Sequence, residues 1–185
     1  MKFTLRETAC RGCHVLALHL IVSPRGDGIA RALAIAFCAA AIFDQTRAPA
    51  PPAPAALLQK INHLLPPNAK VLDLACGFGR NGKYLAAQGH KVSFLDKNAE
   101  ALAEIQQQLP QCEIIEADLE CDNPYQLPQN QYDAIVVFRY LHRSLMPAIV
   151  NALKPGGIIV YETFNHRQAE IGRPRNPDFL LQDNE

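Results

Sequence analysis

What this 185-residue sequence lacks narrows its function before any motif is considered. It has no net charge, with 18 Lys and Arg against 18 Asp and Glu, so no global field recruits nucleic acid or a membrane surface. It has no basic run, no aromatic-rich recognition segment and no zinc module, and nucleic acid is therefore not an expected partner. The alanine-rich, helix-prone Ile29 to Phe43 is too short to span a bilayer, which needs about 20 apolar residues, and the short apolar run Val15 to Val22 reads as a buried strand or part of a helix. No membrane partner is expected either. The six cysteines lack the close, even framework of a small secreted protein, which predicts a reducing, cytoplasmic setting. CRGCH (Cys10, Cys13, His14) matches the c-type haem attachment string, but no signal peptide fits ahead of Cys10. His19 and Cys38 do not supply a second zinc pair. No metal is expected.

What is present centres on VLDLACGFGRNGKYLAAQGHKVSFLDKN, residues 71 to 98. It reads as a strand (Val71 to Ala75), a glycine turn (Gly77, Gly79), a helix (Asn81 to Gln88) and a second strand (Lys91 to Leu95) ending on Asp96. Glycines let the backbone turn sharply and approach a ligand closely, and the helix start presents free N–H groups at the same place. An acid about 20 positions past such a turn, at the tip of the next strand, is where a ribose with two free hydroxyls would be held. Asp96 fills that place. Gly77, Gly79 and Gly82 also spell GxGxxG, which by itself admits an NAD-linked oxidoreductase. Asp73 argues against that reading. A carboxylate inside a strand costs several kcal/mol unless paired, so it should serve something cationic or rich in donors. The α-ammonium of S-adenosylmethionine is such a group. Cys76, inside the turn, reads as a small apolar filler, because no base stands near it in sequence.

With Asp73, Gly77, Gly79 and Asp96 in these places, the stretch resembles the first two motifs of the class I S-adenosylmethionine-dependent methyltransferases, in particular the tellurite-resistance-type branch and its small-molecule relatives. LKPGG, residues 153 to 157, between a predicted helix and the strand Ile158 to Phe164, is a second and separate resemblance to the same family. FRYL follows the fourth strand where amino-methylating DNA enzymes carry an NPPY-type motif. The resemblance implies an α/β fold, a Rossmann-like doubly wound parallel sheet of strand order 3-2-1-4-5. It implies S-adenosyl-L-methionine as cofactor, held by Asp73, Ala75, Gly77, Gly79, Asp96, Lys97, Asp118, Leu119, Phe138 and Arg139, with Asp118 reading the adenine amino group and Leu119 supplying a backbone contact. The implied reaction is methyl transfer to a small acceptor, with tellurite, selenite or a small carboxylate as the anionic candidates. Several guanidiniums, Arg139, Arg143, Arg173 and Arg175, suit such oxygens, because a planar fork matches them. Tyr140, His142, Arg143 and Glu162 are the acceptor-side candidates. No catalytic side chain is named, since the reaction needs only alignment of the acceptor.

The remaining elements fall into order around this unit. Residues 1 to 50 form an extension of uncertain structure, and 51 to 185 the methyltransferase-like domain, joined by the stiff proline-rich stretch Ala48 to Pro54. Leu57, Leu58, Ile61, Leu64 and Leu65 make a helical stripe stopped by Pro66 and Pro67. Asn98 can cap a helix running to about Leu109. Cys112 to Ala117 and Tyr132 to Tyr140 are strands, the latter nearly continuous in apolar residues as expected when both sheet faces are covered. Family members continue past the fifth strand through a last helix and an antiparallel hairpin, giving order 3-2-1-4-5-7-6. That hairpin is missing here, which suggests a truncated product; the alternative to an active enzyme is a catalytically impaired remnant or a regulatory binder of the cofactor. The fifth strand is then either an exposed apolar edge or is covered by Val15 to Val22 or by another subunit.

Overall fold

The computed structural model describes residues 5–10, 13–21, 53–183 and 185, with only the backbone described before residue 53. In chain order the elements are β1 (Leu5–Cys10), β2 (Cys13–Ile21), α1 (Ala56–Ile61), β3 (Lys70–Leu74), α2 (Arg80–Ala87), β4 (Lys91–Asp96), α3 (Ala99–Gln108), β5 (Glu113–Glu116), β6 (Tyr132–Phe138), α4 (Met146–Ala152), β7 (Leu153–Phe164) and α5 (Gln168–Ile171). They form one seven-stranded sheet in the order β1-β2-β7-β6-β3-β4-β5. The strands β3 to β7 are mutually parallel. Counted by themselves, they run 3-2-1-4-5, the expected doubly wound order with its switch beside β3.

The edge of β7 is paired. β2 lies antiparallel against it from Val15 opposite Phe164 to Ile21 opposite Ile158, and β1 pairs antiparallel with β2 outside that. Of the three expectations for this edge, exposure, cover by the Val15 segment and cover by another subunit, the structure has the second. A hairpin from the start of the chain thus stands beside the fifth parallel strand, where the family's final hairpin was expected, and satisfies the N–H and C=O groups an open edge would leave to other chains. The side chains of Cys10, Cys13 and His14, the Ile29 to Phe43 segment and most of the proline-rich linker lie outside what is described.

Both faces of the parallel strands are apolar because both are covered. Leu72, Leu74, Ile135, Val137, Ile159 and Tyr161 face α4, packing on Leu145, Ile149 and Ala152. Val71, Phe94, Ala134, Val136 and Val160 face the other way, against Leu58 and Ile61 of α1, Leu85 of α2 and Leu102 and Ile105 of α3. Each fully buried side chain of this size contributes roughly 1.5–3 kcal/mol. Asn98 caps α3 as expected, its Oδ1 accepting from the Ala101 N–H at 3.1 Å. The helix expected to reach Leu65 ends at Ile61 and continues only as a 3₁₀ turn over Asn62–Leu64. β7 begins five residues before Ile158: Leu153 already pairs with Tyr132, and Lys154 to Gly157 then loop out before Ile158 pairs with Ala134. Pro155 has no N–H to give a ladder, and Gly156 takes φ +81°, so this segment bulges instead of pairing.

Candidate functional site

The carboxyl ends of β3, β4, β5 and β6 meet at the switch in strand order, where open parallel sheets leave a crevice. The glycine turn after β3 forms its floor. Ala75, Gly77 and Gly79 have φ of +53°, +54° and +71°. This region is sparsely populated for any residue with a Cβ, so Ala75 carries roughly 1–3 kcal/mol of strain held in place by its surroundings. Three hydrogen bonds fix the turn: Cys76 N–H to the Leu95 carbonyl at 3.1 Å, Gly79 N–H to the Cys76 carbonyl at 2.9 Å, and Gly77 N–H to Asp96 Oδ2 at 2.7 Å. The other Asp96 oxygen accepts from the Asn98 N–H at 2.9 Å. A carboxylate has about four lone-pair positions, so Asp96 holds the turn and still has acceptor capacity for a pair of hydroxyls.

Asp73 points the other way along the same strand, into the interface with α2. It is 2% exposed, and its Oδ2 accepts from the Gly82 N–H at 2.7 Å. Burial pushes its pKa up to about 7, with the Gly82 hydrogen bond opposing, Asp96 adding to the rise and Arg80 opposing it. Gly82 is there because nothing larger fits: a Cβ would stand 2.3 Å from Phe94 Cε1 and 2.7 Å from Asp73 Oδ2. The third glycine of the GxGxxG string therefore serves close packing of helix on strand. Cys76 is half-buried, and burial first, then Asp73 and Asp96, raise its thiol pKa. It is a neutral filler.

Above the turn lies a pocket of about 120 Å³ lined by Ala75, Asp96, Lys97, Ala117, Asp118, Leu119, Glu120 and Tyr140. Six of these eight are residues singled out from the sequence, and they arrive from the ends of four different strands. Complete ligand sites run to roughly 300–1,000 Å³, so this pocket suits one part of a ligand whose remainder lies over the glycine turn. Asp118 Oδ1 accepts from the Glu120 N–H at 2.8 Å, and Lys97 Nζ lies 3.7 Å from Asp118 Oδ2 across an exposed edge.

The other expected residues disperse. Phe138 is 8% exposed and packs in the core on the α2 side, which removes it from the pocket wall. Arg139 is exposed, takes φ +59° and lays its guanidinium 6.0 Å from the Phe164 ring. His142 Nε2 lies 2.8 Å from Ser144 Oγ and lines a second pocket, about 350 Å³, on the α4 side with Tyr125, Gln129 and Asn151. The Arg143 guanidinium is turned to the C-terminal segment. It donates to the carbonyls of Asp178 at 2.8 Å and Leu180 at 2.9 Å and pairs with the Glu185 carboxylate, so its fork is engaged there. Glu162 is half-buried at the tip of β7. Burial raises its pKa, opposed by Arg139 and Arg80.

Glu120 lines the pocket, Phe78 lies in the glycine turn and Arg80 opens the helix after it, and none of the three carried a sequence signal. Arg80 opens α2 beside Asp73 and within the field of Glu162. Phe78, 54% exposed between two turn glycines, is a large apolar side chain standing free at the crevice. Glu120 follows Asp118 by two positions, a spacing only a tight turn brings to the same wall.

Comparison with known proteins places this geometry. Residues 71–157 match the model of a methyltransferase domain. Over 103 residues, 53% of this chain and 40% of the relative, the sequence is 32% identical to a trans-aconitate 2-methyltransferase of Paracidovorax citrulli. Over 89 residues, 46% of this chain and 31% of the relative, it is 36% identical to a probable S-adenosyl-L-methionine-dependent methyltransferase, TehB, of Haemophilus influenzae. A crystal structure of an S-adenosylmethionine-dependent methyltransferase from Mesorhizobium loti superposes with TM-score 0.51 at 28% identity, covering 60% of this chain and 55% of that one. The chain thus spans from about a third to about half the length of these relatives. With the 3-2-1-4-5 parallel order and the acids at the tips of β4 and β5, the stretch from residue 71 to 157 matches a methyltransferase domain and is similar to the S-adenosylmethionine-dependent methyltransferases of class I.

Proposed function

We propose that this chain binds S-adenosyl-L-methionine and transfers its methyl group to a small, anionic acceptor. The observation that carries this reading is the 120 Å³ pocket in which Asp96, Asp118, Leu119 and Ala75 converge from separate strand tips, on top of a turn whose N–H groups are already ordered. The residues fit the cofactor. Asp96 retains acceptor capacity for ribose hydroxyls, and Asp118 offers an acceptor for an exocyclic amine. Bound there, the cofactor supplies an electrophilic methyl group on a sulfonium. The protein's share is to hold the acceptor in line, at about 3–3.5 Å in a near-attack geometry.

Two features support an anionic acceptor. The exposed Arg139 stands at the carboxyl end of β6, and Arg173 and Arg175 lie in the segment after α5. One relative is a trans-aconitate methyltransferase, and a small carboxylate or an oxyanion such as tellurite presents the oxygens that a guanidinium fork matches. Isothermal titration of the whole chain with S-adenosylhomocysteine, beside NADH, tests the cofactor. Micromolar binding of the former with none of the latter is expected, and the reverse would transfer the site to a dinucleotide. Turnover with a panel of small carboxylates, tellurite and selenite, read as release of S-adenosylhomocysteine, tests the acceptor; activity confined to uncharged acceptors would refute the anionic assignment.

A further inference from the structure

The crossovers from β3 to β4, β4 to β5 and β6 to β7 carry the helices α2, α3 and α4, but the connection from β5 to β6, residues 117–131, has neither helix nor strand. An irregular connection of this length inside a compact domain is uncommon and mostly functional. It runs on the α4 side, where Leu119 and Leu127 pack with Leu145 and Ile149. In place of a helix, a groove of about 350 Å³ lies between this connection and α4, within the size range of small-molecule sites. Both ends of the connection are pinned. Leu119 is buried, and the N–H groups of Asn130 and Gln131 donate to the carbonyls of Asn151 and Ala152, each at 2.9 Å. The groove is therefore formed before any ligand arrives. Leu119 is the one residue that lines both this groove and the 120 Å³ pocket, so the groove is a separate site on its far side.

The wall states what the groove takes. Tyr125, Gln126, Gln129, His142, Ser144 and Asn151 supply its polar groups, and among the described residues no Lys, Arg, Asp or Glu lines it. A charged ligand would leave water here with no opposite charge to meet it. Amides and hydroxyls both donate and accept, as the hydroxyls of a sugar do. Leu145, Pro147 and Ala148 offer apolar surface to the C–H face of such a ring, and the exposed Tyr125 adds an aromatic face. His142 Nε2 and Ser144 Oγ, 2.8 Å apart, are both open to solvent. We infer that this groove is a second ligand site, apart from the cofactor pocket, for an uncharged sugar ring, either free or as the ribose of a nucleoside.

Two-dimensional ¹⁵N NMR of the whole chain, titrated with methyl β-glucopyranoside and separately with uridine, reads both binding and its place. At the free energy per atom usual for small ligands, a dissociation constant of about 1 mM is expected, with saturating shifts in the Gln129 and Asn151 side-chain amides and the Ser144 N–H. Saturation by the glucoside alone identifies a free sugar or glycoside, and by uridine alone a nucleoside; either supports the site. Gln129→Ala combined with Asn151→Ala removes two exposed amides and should weaken binding about ten-fold, with the melting temperature and S-adenosylhomocysteine affinity unchanged. Shifts that do not saturate at the groove, or that are confined to the 120 Å³ pocket, would overturn the inference whether or not the chain binds S-adenosylhomocysteine. Tighter binding of glucose 6-phosphate or uridine 5′-phosphate than of the neutral probes would overturn the uncharged assignment, and undiminished binding by the double variant would overturn recognition by these amides.

Discussion

Replacing Gly82 by alanine distinguishes a packing role for this glycine from a merely conformational one. Gly82 lies one turn into α2 at a backbone geometry that any residue tolerates, so helix propensity by itself predicts that alanine stabilises the chain by about 1 kcal/mol. The tertiary structure predicts the opposite. The new methyl would stand 2.3 Å from Phe94 Cε1, 2.8 Å from Phe94 Cζ and 2.7 Å from Asp73 Oδ2. Neither neighbour can retreat, as Phe94 is 0% and Asp73 2% exposed. Relief requires α2 to move away from the sheet, which lengthens the 2.7 Å bond from Gly82 N–H to Asp73. Overpacking of this kind costs about 1–3 kcal/mol, and weakening a buried hydrogen bond to a carboxyl adds about 1.5–3. Against the propensity gain, a net loss of about 1.5–5 kcal/mol is expected, or roughly 3–20 °C in Tm for a chain of this size. Thermal unfolding followed by circular dichroism measures it, with S-adenosylhomocysteine affinity as a second readout that should also fall, because α2 carries the glycine turn. A Gly82→Ala protein that melts at or above wild type would refute the packing argument.

The remaining expectations concern Asp73 and Arg143. Asp73 has its pKa raised in the fold to about 7 from 3.8, so the native state keeps its proton to higher pH than the unfolded chain. Its contribution is then fully present below about pH 4 and is lost as pH rises through about 7. Asp73→Asn, which still accepts from Gly82, should therefore gain Tm relative to wild type as pH rises across this window, and a difference independent of pH would refute the burial of an ionisable carboxyl here. Arg143→Lys cannot reproduce a fork that reaches two carbonyls and a carboxylate; it should speed proteolysis between residues 166 and 182 and leave S-adenosylhomocysteine binding unchanged. Loss of binding with the tail still protected would return Arg143 to the ligand site.

Local rules fixed the strand, turn, helix and strand unit from Val71 to Asp96 and the cap at Asn98, because each depends on short-range periodicity and on residues such as glycine and asparagine whose conformational preferences are strong; the doubly wound order came from the family resemblance. The acids at strand tips were legible for the same reason: in a parallel sheet the last residue of every strand points to one crevice. Tertiary structure decided the rest. The partition of the residues after β6, with Tyr140 on the 120 Å³ pocket, His142 on the α4 side and Arg143 on the tail, follows from where the chain turns after Phe138 and from the positive φ at Arg139, which no periodicity announces. Whether Asp73 faces a ligand or the back of α2 depends on the distance between helix and sheet, set by Gly82 and Phe94. The pairing of β2 on β7 joins residues about 140 positions apart, and contacts at that separation are chosen by which edge is left open once the domain has folded, not by the strand's own sequence.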